Sequence, residues 1–132
     1  MKYCVMLVVL GIVLATSGCA HSPARCELKP PALAHNVYFA LNDPSEAARA
    51  RLIADCYKYL SGEPGIVAFA AGEVVASHAR EVNVRDWDVS LHIVFKSKHD
   101  HDLYQNAPDH QTFIDENKAN WKSVRVFDTF VR

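Results

Sequence analysis

Tyr104 and His110 flank Pro108 in the stretch Leu103–Phe113, and His35 heads an alternating segment far upstream. An imidazole exchanges protons near neutral pH, and a phenol beside it can orient it or return the proton. Brought together, these three side chains are a candidate acid–base site, with His110 as base, Tyr104 as its partner and His35 alongside. Each also has a plainer reading. His110 can cap the helix that follows Pro108, and His35 can satisfy a carbonyl at a strand start.

The elements that must position them follow from periodicity. His35, Val37, Phe39 and Leu41 alternate with Asn36, Tyr38 and Ala40, which predicts a strand over 35–41. Asp43 as cap, Pro44 at the first position and Glu46 closing a capping box predict a helix running to about Leu60. Its stripe of Ala48, Leu52, Ile53, Cys56 and Leu60 faces a core. Ser61–Gly65 stops it, and Ile66–Ala71 is apolar at every position, so the second strand is expected to be covered on both faces. Trp87–Phe95 alternates again, with His92 and Ser90 on its polar side. Ser97 and Asp100 open a second helical region that breaks near Pro108 and resumes to about Trp121. Val124–Val131 closes as a strand, and Trp87 and Trp121 are assigned to the core. The order β-α-β-β-α-β predicts an α+β, ferredoxin-like fold: an antiparallel sheet with two helical regions on one face.

The rest of the composition excludes more than it assigns. With 14 Lys and Arg against 15 Asp and Glu, the net charge is −1, and no basic run offers a nucleic-acid surface. No phosphate loop, dinucleotide fingerprint, nucleophile elbow or zinc spacing occurs, so no cofactor is implied. Lys98-His99-Asp100-His101-Asp102 suggests a metal, but His99 and His101, two apart on a helix, diverge, and no metal is assigned there.

The first 18 residues are of another kind. Met1–Tyr3 carries a basic start and Val5–Ala15 is an apolar run of about eleven residues, too short for a permanent span and suited to a signal peptide. Ser17-Gly18-Cys19 follows and resembles the bacterial lipobox, with Thr16 where the pattern prefers a larger aliphatic residue. The expectation is export to the bacterial cell envelope and lipidation at Cys19, anchoring the protein to a membrane and facing the periplasm or the exterior. Residues 19–34, with three prolines, read as a flexible tether to a domain over 35–132. Cys26 and Cys56 could pair in that compartment, although Cys56 on the apolar helix stripe suits a buried thiol better.

Taken together, His35 with Val37 and Phe39, Pro64-Gly65 before an apolar strand, Asp88-Val89-Ser90-Leu91, Tyr104 with Pro108-x-His110, and Val126-Phe127-Asp128 resemble the stress-responsive A/B barrel family. The resemblance implies a dimeric α/β barrel in which two open sheet faces meet. Its best-understood type, a plant polyketide cyclase, implies a general base at His110, a partner at Tyr104 and a pocket-lining role for His35. That enzyme's additional third-strand histidine corresponds here to Val89. The expected function is a homodimeric small-molecule-binding or structural module, with a small apolar ligand. The alternative is a cofactor-independent proton-transfer enzyme, cyclase-like or small-monooxygenase-like, using His110 and Tyr104.

Overall fold

The computed structural model describes residues 31–132. The leader, Cys19, Cys26 and most of the expected tether lie outside the described residues. No helix among the described residues is long and apolar enough to cross a membrane.

The elements run β1 (Ala32–Leu41), α1 (Glu46–Leu60), β2 (Ile66–Glu73), β3 (Val89–Phe95), α2 (Lys98–Gln105), α3 (Pro108–Asn117), a single 3-10 turn (Lys118–Asn120) and β4 (Trp121–Val131). They form one four-stranded sheet in the order β2-β3-β1-β4, with every neighbouring pair antiparallel. This is the expected ferredoxin-like α+β arrangement, with both helical regions on one face.

Several boundaries differ from the sequence reading, each for a local reason. β1 begins at Ala32 rather than His35, because Ala32–Ala34 pair with Thr129–Val131 of β4. The cap of α1 is Ser45, whose hydroxyl accepts from the Ala48 amide; Asp43 instead accepts from the amide and hydroxyl of Ser45. No helix continues to Trp121. The 3-10 turn ends α3 early, and Asn120 exchanges hydrogen bonds with Asp43 across the chain. Trp121 then starts β4, beside the bulge at Ala40/Leu41.

The sheet has a packed face and an open one. His35, Val37, Phe39 and Leu41 of β1 and Val89, Leu91, Ile93 and Phe95 of β3 point toward the helices and are buried, with Leu52, Cys56 and Leu60 of α1 closing over them. Burial pushes the Cys56 thiol up to about 12, with Asp55 beside it adding to the shift. That thiol is inert at neutral pH.

On the open face, His92 Nδ1 lies 2.8 Å from Asn36 Oδ1 and His92 Nε2 lies 3.1 Å from Ser90 Oγ. Tyr38 packs edge-on against His92, Phe127 and Trp87. Trp87 is therefore not a core residue. It rides on the connection between β2 and β3, where its indole N–H donates to the Val84 carbonyl. Within the one chain, β2 is covered on a single face. Phe69 and Ala71 pack toward the core, while Ala68 and Ala70 are exposed. Ala68 and Ala70 lie beside Val94 and His92 on the open face of the sheet, the face that the expected dimer would cover.

Gly65 ties the two ends of the site scaffold together. Its φ of +87° is in the left-handed region, and a Cβ there would stand 2.4 Å from the Cβ of Asp100. Its carbonyl accepts from Lys96, just before Ser97 caps α2 through the Asp100 amide. Only glycine lets the start of β2 approach the start of α2 this closely.

Candidate functional site

Helix α2 begins at Lys98 because Ser97 takes the cap, and this phase turns His101 and Tyr104, three residues apart, onto the sheet. Asn106 and Ala107 close the helix by donating to the Leu103 and Tyr104 carbonyls. Pro108 opens α3 at its first turn, where its missing N–H costs nothing. The resulting corner swings His110 back over Tyr104, with ring centroids 4.6 Å apart. From below, β1 raises His35 toward Tyr104 at 5.9 Å.

All three expected residues line one cavity of about 200 Å³ between the sheet and the α2–α3 corner. Its other walls are mostly apolar, including Val37, Phe39, Phe113, Trp121, Val124 and Val126. β4 extends beyond the cover of the helices, so Val124 and Val126 stay exposed and form the open side of the pocket.

The tautomers of both pocket histidines follow from their partners. His110 Nδ1 lies 3.2 Å from the Gln105 carbonyl oxygen, which can only accept, so Nδ1 carries the proton. His35 Nδ1 lies 2.6 Å from Asp128 Oδ1, and a carboxylate likewise takes the N–H. In each neutral ring the basic lone pair is therefore on Nε2. Burial lowers the pKa of His35, opposed by the hydrogen bond and charge of Asp128. Burial also lowers that of His110, opposed by the Gln105 carbonyl and reinforced by His35 and His101. Tyr104 is displaced in the opposite sense: burial raises its phenol, which stays protonated throughout the neutral range. The arrangement holds two neutral bases and one neutral acid around an apolar space.

Sequence reasoning missed two residues here. Asp128 pairs across the β1–β4 ladder with His35, and its only sequence signal is being the one acidic residue of β4. His101 points inward, its ring centroid 4.9 Å from that of His35 and 5.4 Å from that of Phe95. His99, its neighbour in the charged run, is exposed.

The family model described as the stress responsive A/B barrel domain matches residues 33–131. A ferredoxin-like protein of that family from Mesorhizobium loti superposes with a TM-score of 0.63 at 19% identity, covering 76% of this chain and 97% of its own. A dimeric ferredoxin-like protein of unknown function from Thermobifida fusca gives 0.64 at 16%, covering 76% and 91%. A hydroxynitrile lyase from Passiflora edulis gives 0.66 at 17%, covering 79% and 96%. No curated protein matches the chain. At these identities the structures testify to the fold alone, but the family model spans the sheet, both helical regions and every residue of the pocket: the chain belongs to the stress-responsive A/B barrel family.

Proposed function

We propose that the pocket under the α2–α3 corner catalyses cofactor-free proton transfer on a small, largely apolar carbonyl compound. This favours the enzyme alternative over a purely structural module. The observation that carries it is the convergence of His35, Tyr104 and His110 on one cavity with both imidazole Nδ1 atoms already engaged. In this reading His110 Nε2 removes a proton from carbon next to a carbonyl. The electron pair of the broken C–H bond moves onto the carbonyl oxygen, and the Tyr104 hydroxyl donates to that developing oxyanion. His110 then returns the proton to the carbon or to a leaving group, and His35, steadied by Asp128, offers a second site for the same exchange. A relative of the same fold being a hydroxynitrile lyase is consistent with such chemistry.

The test is deuterium exchange into the α-carbon of small alkyl and aryl ketones, followed by proton NMR with the full chain, alongside cleavage of small hydroxynitriles. Turnover above the buffer rate supports the proposal, and none with any of these compounds sinks it. Ligand binding without turnover would indicate the simpler binding module, which the apolar walls also suit.

Two further parts of the proposal concern the setting of the domain. Two open sheet faces pair to make a homodimer, supported by the aromatic cluster of Tyr38, Trp87 and Phe127 and by dimeric relatives such as the Thermobifida fusca protein. Phe127 is 53% exposed, so Phe127→Arg spares the fold and is expected to yield monomers in light scattering. An unchanged dimer would place the interface elsewhere. The chain is also exported and acylated at Cys19, as its leader and Ser17-Gly18-Cys19 suggest. Metabolic labelling with a palmitate analogue is expected to vanish in Cys19→Ser, and equal labelling of the two proteins rules the anchor out.

A further inference from the structure

The edge of the pocket carries a second constellation that proton transfer does not use in full. His35 from β1, His101 from α2 and Asp128 from β4 each present one ligating atom, and those three atoms lie within 4.8 Å of one another. Two imidazoles and a carboxylate are a donor set that takes a divalent first-row transition metal, commonly with water in the remaining position. The three come from separate elements, so the site exists only in the folded chain.

Its burial is graded in the way a metal site needs. The His35 side chain is 5% exposed, His101 12% and Asp128 45%, so an ion has an entry path along β4 and a low-dielectric floor against Phe95. His101 Nε2 also lies 3.1 Å from the Gln105 side-chain amide, a neighbour able to orient that ring.

We propose that His35, His101 and Asp128 form a binding site for a divalent transition-metal ion, with Zn²⁺ as the reference ion. The ion replaces the direct contact between His35 Nδ1 and Asp128. With Nδ1 coordinated, the ring proton of His35 moves to Nε2, so the metal converts that histidine from an acceptor into a donor toward the pocket. Binding requires only the three ligands and is measured apart from any reaction; an occupied site removes His35, but not His110, as a base.

Chelator-treated full chain is titrated with Zn²⁺ alone by calorimetry, and with Co²⁺ while recording its visible absorption. The chain beyond the described residues contains His21 and three cysteines, Cys4, Cys19 and Cys26, so the variants decide. His101→Gln and Asp128→Asn are each expected to weaken one binding event by at least about tenfold and to change the Co²⁺ spectrum. His99→Gln, on the exposed side of the same helix, leaves both unaltered. Asp128→Asn keeps a hydrogen-bond acceptor for His35 at a half-exposed position, so it reports on the site even where His101→Gln disturbs the helix. Identical Zn²⁺ affinity and Co²⁺ spectra in the parent and both ligand variants, or no Zn²⁺ binding in the parent, overturns the proposal.

Discussion

With His110 replaced by alanine, proton exchange catalysed by the protein falls by about two to four orders of magnitude, the usual range for loss of a positioned general base. The fold survives, because His110 lies at the rim of the cavity and its one hydrogen bond goes to the Gln105 carbonyl, which pocket water can satisfy in its place. The pH profile carries a second signature. The groups facing this ring are His35, His101 and Tyr104, and burial with the two histidines holds its pKa below the ordinary 6.5. The neutral, basic form therefore persists into acid, and the acidic limb of the rate lies below pH 6.5. Stability follows the same sign. The unfolded chain binds the proton more readily, so the contribution of His110 is complete above pH 6.5 and is lost as pH falls through the folded value. His110→Ala should remove the limb along with the rate. If the variant instead keeps its rate per folded molecule and loses only stability, His110 is a structural residue of the α2–α3 corner and not a base.

The three principal residues were legible because each sits on a local pattern: alternation for His35, helical phase for Tyr104, and the proline break for His110. Their partners were not. Asp128 is joined to His35 by the β1–β4 register across 93 positions, and periodicity within β4 says nothing about which β1 residue lies opposite. His101 was weighed only against His99, two positions away, where a helix cannot bring them together. Its real neighbours are Tyr104 in its own helix and His35 in another element. The same limit explains Trp87. An aromatic residue near the start of an alternating strand reads as core, yet β3 begins at Val89 and the indole folds back over Tyr38 on the opposite side of the sheet. Local periodicity assigns faces well and leaves long-range pairings open.

Phe95→Ala tests the link between the core and the site, and it should be the most damaging single change to stability. Phe95 is 0% exposed at the end of β3, where it pairs with Leu33 of β1 and Ile66 of β2. Its ring meets Tyr104 at 5.1 Å, His101 at 5.4 Å and His35 at 6.5 Å, so it is the floor beneath all three. Truncation opens a cavity under polar rings with little freedom to collapse, because β3 is hydrogen-bonded on both sides and α2 is fixed by Ser97. A loss of about 3–5 kcal/mol is expected by urea denaturation, or roughly 15–30 °C in Tm for a domain of this size. Phe95→Leu refills most of the volume and should recover most of the stability. It does not restore the flat surface that holds the Tyr104 ring beneath His110, so it is expected to fold well and exchange protons slowly. A Phe95→Ala loss below about 1 kcal/mol would mean that α2 can settle onto β3 without this ring. The geometry of His35, His101 and Tyr104 would then depend on the helix caps rather than on the core.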